Sequence, residues 1–133
     1  MSVLGTGVDI VETKRVQDLL DRMGERFLQR CFWPDEVTYC QSMKFPALHL
    51  AARFAAREAI SKAFGTGIGH HLGWKDMEIG RRESGEPFVV LHGKGEELAK
   101  ARGVEKVLVS LSHCKEYAAA QAVIVGRSPG AKQ

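Results

Sequence analysis

One alanine-rich segment carries charged residues whose types and spacing suit phosphate chemistry. Glu58 and Lys62 lie four residues apart, and the segment ends in the glycine-rich stretch Gly65-Thr66-Gly67-Ile68-Gly69. On a helix, side chains four residues apart stand on the same face, so a carboxylate and an ammonium would project side by side. A carboxylate can hold Mg²⁺, a lysine can neutralise a phosphate, and free backbone N–H groups can bind phosphate oxygens.

A simple surface ion pair is the other interpretation of Glu58 and Lys62. Glutamate before lysine at this spacing stabilises an exposed helix by ~0.3–0.5 kcal/mol. Two features favour a functional role. Three glycines are more than a helix needs to end, and the neighbouring turns are rich in alanine, which indicates close packing: Ala52, Ala55, Ala56, Ala59 and Ala63. The glycine stretch matches neither a P-loop nor a dinucleotide-binding fingerprint, so it is weak evidence by itself.

Asp9 is a second carboxylate in an unusual place, because it lies within the apolar run Val8–Val11. A buried carboxylate is costly unless something pairs with it. Three interpretations stay open for Asp9. It caps a helix that begins near Glu12, it pairs with an arginine, or it binds a metal ion at the end of a strand.

Histidines and arginines supply further candidates. His113 follows Ser110-Leu111-Ser112, and a histidine at such a strand end is either structural or in contact with a nucleotide. The adjacent His70 and His71 lack a second pair at ligand spacing, which argues against a zinc site.

Basic side chains also form one stripe of an amphipathic segment, and this stripe is either a solvated face or a docking surface for an acidic protein: Arg15, Arg22 and Arg26.

Composition bounds the remaining possibilities. The chain has 133 residues, 44% of them hydrophobic and 26% charged, so it is long enough for one domain with its own core. The formal charge of +3 permits an acidic partner, and no aromatic–basic interleaving suggests nucleic-acid binding. No signal peptide or membrane-spanning run is recognisable. Three cysteines without metal-binding spacing predict reduced thiols in a cytoplasmic protein: Cys31, Cys40 and Cys114.

Periodicity predicts an α+β fold of order β-ααα-ββ-α-ββ, with a largely antiparallel sheet packed against a long helix. We expect a single domain over residues 1–126 and a disordered tail over 127–133. Gly24 is a predicted break in the first helix, and Gly65 a predicted stop of the long one. The predicted elements are strand 2–11, helix 12–29, a helix from Pro34, helix 46–64, strands 74–81 and 87–92, helix 94–102, and strands 104–112 and 117–125.

Together these segments resemble the holo-[acyl-carrier-protein] synthases, the short, stand-alone class of 4′-phosphopantetheinyl transferases. The resemblance spans roughly residues 3–125 in matching order, and the joint pattern is specific although no single piece is. It rests on Gly7-Val8-Asp9-Ile10-Val11-Glu12, Arg53-Phe54-Ala55-Ala56-Arg57-Glu58-Ala59, Lys62-Ala63-Phe64-Gly65-Thr66-Gly67, Gly85-Glu86-Pro87 and Ser110-Leu111-Ser112-His113.

The resemblance implies transfer of the 4′-phosphopantetheine arm of coenzyme A to a serine of apo-acyl carrier protein, in support of fatty acid biosynthesis. It implies that Asp9 and Glu58 bind Mg²⁺, that Glu58 and Lys62 are catalytic, and that Glu58 is the candidate general base. Arg15, Arg22 and Arg26 match the helix that docks the carrier protein. The implied coenzyme A-binding residues are Arg53, Lys62, Gly65, Gly85, Pro87, Ser112 and His113.

Two features bear on how such a site would be assembled. Larger, two-lobed relatives use a third carboxylate where this chain has Val11, so a water would have to take that place, and Glu12 is a poor substitute. Arg53 lies ~140° around the helix from Glu58, so it would serve the site of a neighbouring subunit. That agrees with the homotrimer that the resemblance implies, with sites between subunits. The alanine stripe 52, 56, 59 and 63 packs either between subunits or within the chain.

Two other functions explain part of the pattern. A non-catalytic carrier-binding protein would use the arginine stripe and keep Glu58 and Lys62 as a salt bridge. A small Mg²⁺-dependent phosphoester hydrolase would act on a nucleotide or coenzyme A without any carrier protein.

Overall fold

The computed structural model describes residues 1–128, so residues 129–133 of the predicted disordered tail lie outside the described residues. The chain forms five strands and five helices in this part, in the predicted order. The strands are β1 (Ser2–Glu12), β2 (Met77–Arg81), β3 (Pro87–Leu91), β4 (Val104–His113) and β5 (Tyr117–Gly126). The helices are α1 (Thr13–Met23), α2 (Glu25–Cys31), α3 (Pro34–Gln41), α4 (Pro46–Ala63) and α5 (Gly93–Arg102).

The α+β prediction is confirmed, and the strands divide into two antiparallel sheets. One sheet has the order β1-β5-β4, and the other is the hairpin β2-β3. The long helix α4 packs across the three-stranded sheet and forms the centre of the core. No helix among residues 1–128 is both long enough and apolar enough to cross a membrane.

Strand β1 and helix α4 approach each other unusually closely. A Cβ placed on Gly7 would lie 2.0 Å from the backbone oxygen of Ala59, so only glycine permits this contact. The alanines at 52, 56, 59 and 63 are all buried inside the single chain. Their packing is therefore intramolecular, which decides between the two interpretations of the alanine stripe.

Local differences from the sequence-based prediction have simple causes. Gly24 has φ 55°, a conformation that ends one helix and starts another, so the predicted helix 12–29 becomes α1 and α2. The predicted strand 74–81 begins instead with a 3₁₀ turn at Trp74–Asp76. There the Asp76 carboxylate accepts a hydrogen bond from the Gly73 N–H at 2.7 Å, and this local bond competes with extended structure.

A buried ion pair attaches α4 to α3. Both nitrogens at the end of the Arg57 guanidinium donate to the Glu36 carboxylate, and neither side chain is more than 1% exposed. Arg57 also donates to the backbone oxygens of Trp74 and Met77, at 3.0 and 2.9 Å. These bonds hold α4, α3 and the start of β2 in one arrangement.

The cysteines are free thiols in the described part of the chain, as predicted. Cys31 and Cys40 are buried and Cys114 is exposed. Burial raises the pKa of the Cys40 thiol to about 11, so it stays protonated at neutral pH.

Candidate active site

The contact between β1 and α4 brings Asp9 and Lys62 together. Side chains alternate along a strand, so Asp9 points to the same side as its buried neighbours Gly7 and Val11, toward α4. Lys62 Nζ lies 3.0 Å from Asp9 Oδ1 and 3.1 Å from the backbone oxygen of Val8. Asp9 therefore neither caps α1 nor meets an arginine, which were two of its three interpretations.

Glu58 is the second carboxylate at this place, one turn before Lys62 on α4. It is half-buried, and the charge of Asp9 acts on it. Burial and then the Asp9 carboxylate raise the pKa of Glu58, while the cations Lys62 and Arg15 oppose that rise. Two carboxylates and one ammonium thus converge where β1 crosses α4, as expected for a phosphate site.

The chemistry of these donors fits Mg²⁺. Mg²⁺ in proteins uses one or two carboxylates and fills its octahedral shell with waters and substrate phosphates. No cluster of three or more histidine, cysteine, aspartate or glutamate side chains suitable for a metal exists among residues 1–128. Val11 faces the same side as Asp9, but it is apolar and 3% exposed. Asp9 and Glu58 are the two carboxylates that could hold such an ion where β1 meets α4.

The backbone N–H groups at the start of the glycine stretch form hydrogen bonds with the last turn of α4. The N–H groups of Thr66 and Gly67 both donate to the backbone oxygen of Ser61, at 3.1 and 3.2 Å. The N–H group of Gly65 donates to the backbone oxygen of Lys62. Gly65 and Gly67 have φ of 77° and 66°, which explains why glycine occupies them. The N–H groups of Gly65, Thr66 and Gly67 are therefore not free to bind phosphate.

A second group of polar side chains lies on another face of α4. Arg53 lies 4.7 Å from the centre of the Tyr39 ring, and Arg81 lies 5.2 Å from it and donates to the tyrosine hydroxyl. The rings of His49 and His113 are 4.9 Å apart. We call this group of five side chains the cationic cluster: Tyr39, His49, Arg53, Arg81 and His113.

The cluster confirms that Arg53 and Glu58 belong to different faces of α4. Arg53 is buried beside Glu36, whose carboxylate lies 3.8 Å from Arg53 Nε, whereas Glu58 faces β1. Arg53 Nε is itself buried without a hydrogen-bond partner among the described residues.

Sequence reasoning placed Arg53 and His113 but missed Tyr39, His49 and Arg81. For His49 a signal was available, because it lies four residues before Arg53 on the same helix face.

The other predicted coenzyme A-binding residues are distributed around the cluster. A Cβ placed on Gly85 would lie 3.3 Å from the Arg81 guanidinium, and Pro87 pairs with Arg81 across the hairpin. Ser112 is exposed, and as the neighbour of His113 on β4 it points to the opposite face of the sheet. The structure therefore groups Gly85 and Pro87 with the cluster, but not the Ser112 side chain.

The arginine stripe begins beside the carboxylates. Arg15 lies 5.5 Å from the Phe54 ring, and its positive charge acts on Glu58. Arg15 and Arg22 are exposed on α1, and Arg26 is exposed on α2 after the break at Gly24. The stripe thus leads from the outer surface toward Asp9 and Glu58.

Comparisons with known proteins agree with this geometry. The profile of the 4′-phosphopantetheinyl transferase superfamily matches residues 5–122. The holo-[acyl-carrier-protein] synthase of Moorella thermoacetica is 46% identical over 122 residues, which cover 92% of this chain and 94% of the relative.

Solved structures of the same family share the fold. The holo-[acyl-carrier-protein] synthase of Neisseria meningitidis superposes with a TM-score of 0.86 at 31% identity, over 93% of this chain and 99% of that one. The enzyme of Helicobacter pylori in complex with coenzyme A superposes with a TM-score of 0.81 at 29% identity, over 90% and 99% of the two chains. From its sequence, its fold and the convergence of Asp9, Glu58 and Lys62, this chain belongs to the holo-[acyl-carrier-protein] synthase family of the 4′-phosphopantetheinyl transferase superfamily.

Proposed function

We propose that this protein transfers the 4′-phosphopantetheine arm of coenzyme A to a serine hydroxyl of apo-acyl carrier protein. The serine oxygen forms a bond to the phosphorus that carries pantetheine, and the bond to the bridging pyrophosphate oxygen breaks. Adenosine 3′,5′-bisphosphate leaves, and the serine proton passes to a base. The convergence of Asp9, Glu58 and Lys62 in a chain of this family carries the proposal.

Asp9 and Glu58 would hold Mg²⁺, which fits two carboxylates with room for phosphate oxygens. When bound, the ion would neutralise charge on the pyrophosphate of coenzyme A. Asp9 is already kept in place by Lys62 at 3.0 Å, and Lys62 is 51% exposed. Lys62 can therefore reach a substrate phosphate without leaving the site.

Glu58 is our candidate for the base that takes the serine proton. Burial and then the Asp9 charge raise the pKa of Glu58 in the metal-free site, and a carboxylate beside the reacting hydroxyl is a suitable proton acceptor. Lys62 would stabilise the negative charge that develops on the departing nucleotide. Arg15, Arg22 and Arg26 would attract an acidic carrier protein and direct its serine toward Glu58.

A homotrimer with sites between subunits accounts for two further observations. The cationic cluster faces away from Glu58, so a ligand held by both groups has to bridge two chains. The face of the three-stranded sheet opposite α4 is open and carries exposed apolar side chains, with Val8, Ile10 and Leu108 exposed by 65%, 66% and 52%. A second copy of the chain would cover that face. Native mass spectrometry of the protein tests this directly, and a monomer at micromolar concentration would contradict it.

The cellular setting belongs to the proposal as well. Transfer to the acyl carrier protein of fatty acid biosynthesis would take place in the cytoplasm, where free thiols such as exposed Cys114 stay reduced.

The deciding experiment is the intact mass of purified apo-acyl carrier protein after incubation with this protein, coenzyme A and Mg²⁺. A gain of one phosphopantetheine mass that EDTA abolishes is the expected result. No gain with several apo carriers, from folded protein that binds Mg²⁺, would overturn the proposal. Breakdown of coenzyme A without carrier would then support the hydrolase interpretation, and carrier binding without chemistry the binding-protein one.

A further inference from the structure

An acidic residue lies within the basic face of α1. Asp18 comes three residues after Arg15 and four before Arg22, so it is ~60° and ~40° around the helix from these two arginines. One open groove on the surface is lined by all three side chains together with Glu12, Lys14 and Leu19. Its three cations outnumber its two carboxylates, so the groove as a whole stays basic. The family resemblance assigns the arginines to carrier docking and gives Asp18 no role.

Asp18 forms an ion pair with Lys14 and with neither arginine. Lys14 Nζ lies 3.1 and 3.0 Å from the two carboxylate oxygens of Asp18, and the two side chains are 80% and 57% exposed. Among residues 1–128, Arg15 and Arg22 form no ion pair with a carboxylate. Both guanidinium groups thus keep their charge for a partner, and the Asp18 carboxylate remains exposed beside them.

Helix stability does not account for the pair of Lys14 and Asp18. Lysine four residues before an acid is the less favourable order on a helix. A cation in the first turn is also repelled by the positive end of the helix dipole. Lys14 stands in that first turn, where α1 has no acidic residue. The pair is therefore better explained by what binds to α1 than by the folding of α1.

Against an acidic partner, the Asp18 carboxylate is a repulsive group within an attractive surface. Specific interfaces combine favourable contacts with like charges that reject wrong partners. A carrier that brings carboxylates to Arg15 and Arg22 meets a like charge if it places a third carboxylate at Asp18. Lys14 does not cancel this repulsion, because it lies ~100° around the helix from Arg15 and so at the margin of the face.

We propose that Asp18 is a specificity-determining residue for the carrier protein. It selects carriers whose acidic surface has an uncharged or basic residue at the position that faces Asp18, and it rejects carriers with an acid there. The inference rests on the proposed function, which supplies an acidic carrier as the partner of α1. Since Asp18 acts on docking, it changes KM for the carrier and leaves KM for coenzyme A as it is.

The test measures transfer to carrier variants in which each uncharged surface residue around the acceptor serine is replaced in turn by glutamate. With the unmutated protein, we expect glutamate at one or two of these positions to raise KM for the carrier roughly threefold, as for one exposed pair of charges. With Asp18→Asn this increase should disappear. It should also shrink at high salt, which distinguishes charge repulsion from a steric clash.

Asp21→Asn is the matched control. Asp21 is exposed on the same helix and, like Asp18, is bonded to the residue four positions before it, since Gln17 Nε2 donates to Asp21 Oδ1 at 2.8 Å. It lies ~120° around α1 from Arg15, away from the groove. The increase in KM should therefore remain in Asp21→Asn.

Three results would overturn the role of Asp18. These are the same glutamate scan with Asp18→Asn as with the unmutated protein, an equal loss of the increase in Asp21→Asn, or an increase that high salt leaves unchanged. The transfer assay on the unmutated protein reports on the proposed function separately. Active protein whose scan is the same in Asp18→Asn refutes this inference alone. A protein that binds the carriers with the Asp18-dependent pattern in calorimetric titration, but transfers nothing, refutes the proposed function alone.

Discussion

Lys62 Nζ lies 3.0 Å from Asp9 Oδ1, so the lysine of the Glu58–Lys62 pair bonds to the strand rather than to the glutamate one turn away. The interpretation of that pair as a surface salt bridge is wrong for this chain. One consequence is that Glu58 keeps its oxygens available, and another is that Lys62 is held where β1 meets α4.

Lys62→Met should therefore reduce turnover far more than it reduces stability. The substitution removes a positive charge from the proposed phosphate site, and we expect kcat to fall roughly 100-fold, as when one electrostatic group is removed from an active site. Steady-state transfer kinetics measure this. Lys100→Met is the control, because Lys100 also pairs with an acid, Glu96 at 3.5 Å, but lies on α5. Equal losses in the two variants would argue against a role for Lys62.

Magnesium should stabilise the protein only when both carboxylates are present. A ligand that binds the folded state raises the melting temperature, by an amount that grows with its concentration. We expect the shift caused by millimolar Mg²⁺ to disappear in Asp9→Asn and in Glu58→Gln, and to remain in Glu96→Gln. Scanning calorimetry with and without EDTA is the measurement. If Mg²⁺ raises the melting temperature of Asp9→Asn as much as that of the parent, Asp9 is not a metal ligand.

Glu58 should lower the stability of the metal-free protein at neutral pH. Its pKa is raised in the folded state by burial and by Asp9, so the folded chain binds the proton more tightly than the unfolded chain does. The contribution of this group is most favourable below the ordinary glutamate pKa, and it is lost as the pH rises through the raised value. Glu58→Gln should therefore melt at a higher temperature than the parent at pH 7 in EDTA, with the difference shrinking toward pH 4. A lower melting temperature at pH 7 would contradict the raised pKa.

Substitutions in the arginine stripe should weaken binding of the carrier protein and leave binding of coenzyme A unchanged. Arg22→Gln and Arg26→Gln should each raise KM for the carrier roughly threefold, as for loss of one exposed ion pair, and leave KM for coenzyme A unchanged. The dependence of kcat/KM on salt should become weaker. Arg127→Gln is the control, since Arg127 is exposed at the end of the sheet remote from α1. Matching effects in all three variants would indicate a general charge effect instead of docking.

The buried pair of Glu36 and Arg57 should dominate the stability of α4. Glu36→Gln leaves the guanidinium of Arg57 buried without a counter-charge, which costs about 3–5 kcal/mol. Urea unfolding of the variant and of Glu86→Gln, an exposed control, measures the difference. The double variant Glu36→Gln, Arg57→Met should recover part of the loss, because the fully buried charge of Arg57 is then gone and only Arg53, 3.8 Å from Glu36, lacks its counter-charge. A loss under 1 kcal/mol in the single variant would show that water relieves the charge.

Much of the fold follows from patterns within short stretches of sequence. The alternation around Asp9 predicted a strand, the alanine-rich period before Gly65 predicted the long helix, and Gly24 predicted a helix break. Each is a local effect, since side-chain periodicity and glycine conformation depend on neighbours in the chain. The family and the candidate site residues Asp9, Glu58 and Lys62 were recognisable in the same way, because they stand in short motifs.

Other properties depend on which distant segments meet, and only the tertiary structure decided them. The partner of Lys62 is Asp9, 53 positions away, and His49 meets His113 from the far end of the chain. Whether the N–H groups of the glycine stretch are free to bind phosphate stayed open in the sequence, because no local pattern shows that those of Thr66 and Gly67 donate to the backbone oxygen of Ser61. A contact between remote residues depends on how every intervening element packs, and the spacing of residues carries no record of that packing.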